Sequence, residues 1–330
     1  MKNTTNIKIF NGDCIDSTKR IPDCSVDLGI YDPPFGLGES EFDKHYKRDT
    51  ANVIDGYTEA PEDYDSWTEK WMTEAKRVMK PNGSMYVIMG HTNLRSVLNA
   101  ANKIGLHEIN HMVWKYNFGV YTKKKYVTSH YHILYYSNIG STVKVTFNPN
   151  CRFGSQEKDE NGGSLLYKDL EDVFVINKEF APSEKKNQNK LPNELIKKLI
   201  LYSSNEGDMV CDFFMGNFTT AYCSIMLGRN VCGYEINKNS FDYHIDKIHA
   251  LEFGCGLKDL RPVKNIVPLN QGKPISENEE NEIYEYYCNE LKKKKKKKVI
   301  SEELQQKFQR GKFSIKNILD KMIEKNKTNE

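Results

Sequence analysis

Residues 26–35 read Val26-Asp27-Leu28-Gly29-Ile30-Tyr31-Asp32-Pro33-Pro34-Phe35. The first six form a compact apolar run of the kind that makes a buried strand. Two prolines cannot continue a central strand, so a sheet must end at Asp32-Pro33-Pro34. Upstream, residues 7–10 form a short strand, followed by a turn at Asn11-Gly12-Asp13 and a short helix that stops before Pro22. Downstream, residues 36–62 are polar and irregular and read as a mobile loop. Trp67, Trp71, Ala75 and Val78 then recur at helical spacing over 64–79. Pro81-Asn82-Gly83 turns the chain into a strand over 85–89, with a helix over 94–104 and a strand over 108–114 after it. A strand is expected over 132–136, and 138–184 is mostly irregular. The rhythm resumes with a helix over 193–202 that buries Leu195, Ile196, Leu199 and Ile200. A strand at 209–212, a helix at 219–227, a strand at 230–235 and a helix at 241–251 complete it. This alternation predicts an α/β fold, a mostly parallel sheet with helices on both faces.

The 330 residues suffice for one large α/β domain with appendages, and a 38% hydrophobic, 28% charged balance can build a sizeable core. Residues 261–330 hold 17 Lys+Arg against 11 Asp+Glu, a net +6, which leaves the first 260 at −3 of the chain's +3. The basic excess therefore lies in a polar extension over 256–330, which includes seven consecutive lysines at 292–298. Such a run reads as a solvated helix face or flexible tail, with electrostatic support on nucleic acid as the alternative. The eight cysteines include no Cys-x-x-Cys pair, and His91, His111, His130 and His132 show no ligand spacing, so no metal is expected. No stretch approaches a membrane helix and no signal-peptide core opens the chain, which points to a reducing, cytoplasmic setting.

Asp32 at the carboxyl end of a strand stands where open α/β sheets bind ligands. Its carboxylate and the Pro33 carbonyl could together accept both N–H bonds of an amino group whose lone pair is delocalised into a ring. The prolines, Pro33 and Pro34, would hold those acceptors in place, and Phe35 offers a flat face to an extruded base. A rigid turn without chemistry is the plainer alternative. A second element, Val210-Cys211-Asp212-Phe213-Phe214-Met215-Gly216-Asn217-Phe218-Thr219-Thr220, is a strand, a glycine-containing loop and a helix start. Such a turn aims helix N–H groups at a ligand, and Glu235, about twenty residues on, is placed to accept from ribose hydroxyls. Ordinary helix–sheet packing would produce the same pattern.

Asp32–Phe35 resembles the Asp-Pro-Pro-[Tyr/Phe] motif of amino-methylating DNA methyltransferases. Asp212–Thr220 resembles their Asp-Pro-Phe-x-Gly-Ser-Gly-Thr-Thr cofactor loop. The catalytic motif precedes the cofactor loop, the order of the circularly permuted β class, and the resemblance covers roughly residues 6–250. It implies a permuted Rossmann-like fold that binds S-adenosyl-L-methionine (SAM) and methylates an amino group in double-stranded DNA. Asp32 favours adenine N6, since cytosine-N4 members more often carry Ser there. By the same resemblance the cofactor would lie against Asp13, Cys14, Asp32, Lys190, Leu191, Asp212, Phe213, Phe214, Gly216, Asn217, Phe218, Thr219, Thr220, Glu235 and Asn237. The chain would divide into a catalytic half (1–114), a target-recognition region (115–187), a cofactor-binding half (188–255) and the basic extension (256–330).

Phe213 stands where the family carries Pro, and Asn217-Phe218 where it carries Ser-Gly. Phe218 could turn into the sheet–helix interface or crowd the methionine end of the cofactor. Lys115, Tyr116, Lys123, Lys124, Lys125 and Tyr126 are candidates to line a DNA groove, the alternative being a solvated strand pair. A homodimer and a companion restriction enzyme are further expectations of the resemblance. The rival readings are a cytosine-N4 or RNA methyltransferase, a DNA-binding protein with an inactive methyltransferase fold, and a nicotinamide-dependent oxidoreductase. The last shares the glycine loop and the acid but leaves Asp-Pro-Pro-Phe without a purpose.

Overall fold

The computed structural model describes all residues except 1–4, 37–57, 118, 120, 122, 139–143, 180–189, 264–269, 271–272 and 328–330. Most of the loop expected over 36–62 lies outside the described residues. The chain forms two compact units, Met1–Val263 and Lys264–Glu330. Among the described residues no helix is long and apolar enough to cross a membrane.

The first unit is built on an eight-stranded sheet. Its strands are β1 (Ile7–Asn11), β2 (Val26–Tyr31), β3 (Met79–Met89), β4 (His107–Lys115), β5 (His130–Ser137), β6 (Val173–Val175), β7 (Met209–Asp212) and β8 (Asn230–Glu235). The order across the sheet is β1-β8-β7-β2-β3-β5-β4-β6. All neighbours are parallel except β5, which runs antiparallel to both β3 and β4. The segment from β7 leads to β8 on one side, whereas β2 leads to β3 on the other. The sheet therefore reverses its winding between β7 and β2, the position where such sheets open a crevice at their carboxyl edge.

Side chains along β3 alternate between two cores. Met85, Val87 and Met89 face the layer of α1 (Tyr64–Val78) and α2 (Leu94–Lys103), while Tyr86 and Ile88 face α4 (Asn193–Ser203). That period of two, with both faces covered by helices, is why the strands read as unbroken apolar runs. α1 starts at its N-cap Asp63, whose side chain accepts from Ser66 N, and buries Tyr64, Thr68, Trp71, Met72, Ala75 and Val78 along one face. A third cluster packs α5 (Thr219–Met226) and α6 (Lys238–His249) against β1 and β8.

One local expectation changes. β3 begins at Met79, and Pro81-Asn82-Gly83 falls within it: the register jumps from Val26↔Met79 to Leu28↔Ser84. The extra residues bulge out, pinned by a Lys80–Asp27 ion pair of 2.7 Å, so the sequence signal for a turn marked a bulge instead. The described part of 138–184 is mostly irregular, as expected, and holds the short α3 (Leu165–Leu170) and the edge strand β6. β6 has only three residues and an exposed-buried-exposed pattern, too short for periodicity to reveal.

The second unit corrects the reading of 256–330 as a plain extension. It contains α7 (Glu277–Lys292), α8 (Lys297–Phe308) and α9 (Lys312–Lys327) around Ile283, Ile300, Leu304, Phe308, Ile315, Ile318, Leu319 and Met322. Arg310, 3% exposed, clamps Glu279 through two bonds of 2.6 and 2.9 Å. The lysine run is neither a tail nor one helix face. It turns the corner between α7 and α8, and Lys295 bonds both Glu290 and Glu303.

Candidate active site

Four neighbouring parallel strands, β1, β8, β7 and β2, deliver Asp13, Glu235, Asp212 and Asp32 to the same carboxyl edge. The registers Asn11↔Glu235, Asp212↔Gly233 and Gly29↔Cys211 place these acids side by side although up to 222 positions separate them in the chain. The structure thus brings together both motifs singled out in the sequence.

Asp32 is half-buried at the end of β2. The backbone after it is held on three sides: Tyr64 Oη donates to the Pro34 carbonyl (2.9 Å), Asn93 Nδ2 to the Phe35 carbonyl (2.7 Å), and Gly36 N to Glu59 Oε1 (3.0 Å). Among the described residues, neither the Asp32 carboxylate nor the Pro33 carbonyl has a hydrogen-bond partner. Two oxygen acceptors therefore remain open within a fixed turn. Burial, then the Asp212 carboxylate, push the Asp32 carboxyl from 3.8 up to about 8, opposed by Lys178. Phe35 packs edge-on against Tyr131, with centroids 5.2 Å apart.

The 212–220 turn is organised by its own acids. Asp212 is buried, accepts from Phe214 N (2.8 Å) and is bonded by the Thr220 side chain. Burial raises it to about 6. Glu235, 5% exposed, accepts from Gly216 N at 2.5 Å and from Asn237 N at 2.7 Å, and burial raises it to about 7. Each of its oxygens keeps a second lone pair for a ligand hydroxyl. Asn237 caps α6 by accepting from Asn239 N and Ser240 N. On the other side, Gly12 N donates to the Glu235 carbonyl (3.0 Å), which sets Asp13 beside the turn, and Asp13 Oδ1 accepts from Ile15 N. A cleft of about 200 Å³ opens there between Asp13, Ile15, Asp16 and the start of α1 at Asp63 and Trp67. Cys14 is buried, its thiol pushed up by that burial. Lys190 and Leu191 are half-buried just ahead of α4, whose first residue, Asn193, accepts from the Cys223 thiol of α5.

Phe218 turns into the sheet–helix interface. Its ring is fully buried and lies against His244 (centroids 5.0 Å apart) and Phe241. Its backbone nevertheless keeps the left-handed conformation (φ +56°) that suits glycine, at a cost of roughly 1–2 kcal/mol offset by burying the ring. Phe213 packs on Tyr31 and Tyr234, and Phe214 on Trp67 and Trp71.

The groove candidates divide. Lys115, Lys123, Lys124, Lys125 and Tyr126 are exposed, Tyr126 almost completely (99%). Tyr116 is buried and packs with Trp114 and Tyr131, so it belongs to an aromatic cluster next to Phe35 and not to an exposed groove wall. Tyr64, Asn93, Tyr131 and Lys178 went unnoticed in the sequence. A lone lysine or asparagine carries no local signal of the partner that folding brings to it.

Three carboxyls raised above their ordinary values have a consequence for the ligand-free protein. Its native state binds more protons than the unfolded chain between about pH 4 and 8, so this cluster costs stability as pH rises through that window. Replacing Asp32 with Asn removes its share. The melting temperature of D32N relative to the wild type should climb as pH is raised from 5 to 9; a difference that stays flat, read by differential scanning fluorimetry, contradicts the burial of this charge.

Comparisons with known proteins bear on the family and the fold. The DNA methylase family profile, of the N6/N4 type, matches residues 26–246. Type II methyltransferase M.BamHI of Bacillus amyloliquefaciens is 32% identical over 251 residues, 69% of this chain and 54% of that protein. Type II methyltransferase M.HinfI of Haemophilus influenzae is 30% identical over 246 residues, 71% of this chain and 66% of its own. The chain thus spans between half and two thirds of the length of these two relatives. Among solved structures, the M1.HpyAVI–SAM complex superposes with a TM-score of 0.53 at 20% identity, covering 74% of this chain and all of that one. The cytosine-N4-specific PvuII DNA methyltransferase superposes with a TM-score of 0.55 at 14% identity, covering 79% and 95%. With a profile match over two thirds of its length and the fold of those structures, the chain belongs to the amino-methylating DNA methylase family.

Proposed function

We propose that this protein transfers a methyl group from SAM to the N6 amino group of adenine in double-stranded DNA, with the catalytic and cofactor segments in circularly permuted order. The observation that carries the reading is the pair of open acceptors, the Asp32 carboxylate and the Pro33 carbonyl, fixed beside the Asp212–Glu235 turn. An aromatic amino group is a weak nucleophile because its lone pair is shared with the ring. Two acceptors that take both of its N–H bonds favour a tetrahedral nitrogen with the lone pair directed outward. They are set before the reaction and need no reorganisation during it.

The residues of this sheet edge fit SAM. Asp13, Asp32, Asp212 and Glu235, at the carboxyl ends of four neighbouring strands, make an acidic sheet edge that suits its cationic sulfonium and ammonium groups, and Glu235 retains acceptor capacity for ribose hydroxyls. When bound, SAM supplies an electrophilic methyl carbon. The transfer would join that carbon to the amino nitrogen, with the carbon–sulfur electron pair left on sulfur, and Asp32 would take the surplus proton from nitrogen. Phe35 stacks on the extruded base, with Tyr131 behind it. Lys115 and lysines 123–125 lie along the stretch we assign to DNA phosphates.

The test is nucleoside mass spectrometry of duplex DNA incubated with the protein and SAM. N6-methyladenine is the expected product. N4-methylcytosine would move the target to cytosine, and absence of any methylated base despite SAM binding would reject the enzyme reading.

A further inference from the structure

Prolines lock part of the Asp32-Pro33-Pro34-Phe35 turn, but only part. Each ring fixes its own φ, and Asp32 and Pro33, each ahead of a proline, are confined to extended backbone. That rigidity stops at Pro34, whose ψ is free. The carbonyls of Pro34 and Phe35 are the first whose direction the prolines leave open. Each accepts a side-chain hydrogen bond, from Tyr64 Oη (2.9 Å) at Pro34 and from Asn93 Nδ2 (2.7 Å) at Phe35. The two donors close tightly on the next residue. A Cβ at Gly36 would stand 2.6 Å from Asn93 Nδ2 and 2.7 Å from Tyr64 Cδ2, so any side chain there would push both away.

Asn93 gives up a stabilising use of its side chain to reach this turn. It is the N-cap of α2, and its carbonyl accepts from Ser96 N and Val97 N; yet, among the described residues, its side chain makes no cap bond. Asp63 on α1 and Asn237 on α6 do cap their helices, so the bond to Phe35 stands in place of an ordinary cap. Tyr64 opens α1 with its ring buried against Trp67, centroids 5.3 Å apart. Trp67 and Trp71, one and two turns on along the same helix face, meet Phe214 of the cofactor turn at 5.8 and 5.3 Å. A single helix face therefore touches both motifs. We propose that Tyr64 and Asn93 are positioning residues for methyl transfer: they clamp the Pro34 and Phe35 carbonyls and so hold the Asp32–Pro33 acceptor pair in register with the cofactor turn. The inference rests on the reading of that pair as the acceptor of the amino group. In-line transfer tolerates little misplacement, so a turn free to pivot at Pro34 loses rate without losing binding.

The experiment compares wild type with Y64F, which removes one hydroxyl and keeps the ring, and N93S, which keeps a good N-cap but stops short of Phe35. Four quantities are read: kcat and KM for methyl transfer, SAM affinity by calorimetry, the thermal melt, and hydrogen exchange of the Phe35 and Gly36 amides. In each variant kcat should fall by about tenfold or more, while KM for DNA and SAM affinity stay within about threefold. Exchange of the two amides should quicken by about tenfold or more. N93S should melt within about 2 °C of wild type or above it, because Ser caps a helix as well as Asn does. The double variant should lose less than the product of the single losses, since both donors hold one turn. An unchanged kcat or unchanged exchange in either variant overturns the proposal. So does a fall in kcat matched by an equal loss of SAM affinity and a lower melt, which reduces the pair to packing. D32A is run alongside: wild-type turnover there removes the acceptor reading, whereas an inactive D32A with fully active Y64F and N93S removes the clamp alone. Amide exchange needs no turnover, so it decides the clamp in either case.

Discussion

Asp32→Ala is expected to abolish methyl transfer while leaving SAM binding within a few-fold of wild type. Removing one preorganised group aimed at a reacting centre commonly costs about 10²–10³ in kcat. Here the side chain carries half of a two-acceptor site, so a loss of about 10³ or more is anticipated. Among the described residues Asp32 holds nothing else in place, since its carboxylate bonds no backbone or side chain. The cofactor turn is organised by Asp212 and Glu235 without it. The substitution should even raise the melting temperature at pH 8, because a half-buried carboxylate without a partner is a net cost to the folded state. Loss of function with gain of stability is the signature of a residue kept for chemistry. Tritium transfer to DNA, calorimetry with SAM and a thermal melt together check the prediction. Wild-type turnover would remove Asp32 from the mechanism.

That this site could be read from the sequence follows from where its information lies. Asp32-Pro33-Pro34 is a local instruction: prolines stop a strand, and the residue before them must sit at the sheet edge. The stretch from Asp212 to Thr220 is equally local, a strand that turns through a glycine into a helix. Neither says that the two motifs meet. That follows from the winding rule, because a parallel sheet that reverses between β7 and β2 places both strand ends at one crevice. Phe218 was ambiguous in sequence because its direction depends on His244 and Phe241, on a helix not yet built when the loop is read.

What stayed hidden was either tertiary or masked by composition. Lys178 gains its place from the rings of Tyr116 and Tyr131, on β4's exit and β5, and a lysine-rich chain offers no reason to single it out. In the second unit, Ile300, Leu304 and Phe308 recur every four residues, and Ile315, Ile318, Leu319 and Met322 follow a helical face. These are sufficient signals for helices. Seven adjacent lysines drew attention to charge and away from that period. The lysines prove to occupy a corner where a chain must turn between two packed helices, so the apolar residues on either side decide the fold there.

The second large effect is expected at a residue that touches no ligand. Gly233, in the middle of β8, has φ +152°, and a Cβ built there would stand 1.8 Å from the carbonyl oxygen of Asp212. The obstacle is backbone, so no side chain can rotate away; β7 and β8 would have to separate where Asp212 begins the cofactor turn. Gly233→Ala should therefore cost more than about 4 kcal/mol, within the rare class of severe single substitutions. For a unit of this size that corresponds to a fall in melting temperature on the order of 10 °C. SAM affinity should fall with it, because moving the Asp212 carbonyl disturbs the Phe214 N–H bond and the Gly216–Glu235 contact. Gly207 is the control, for it too has a positive φ (+85°), but nothing lies within 4 Å of the methyl that alanine would add. Gly207→Ala should show only the conformational penalty, about 1 kcal/mol. If G233A melted within about 2 °C of the wild type, the tight approach of β8 to the head of the cofactor turn would be wrong. The placement of Glu235 two residues later, and with it the geometry of the whole acidic sheet edge, would then have to be revised.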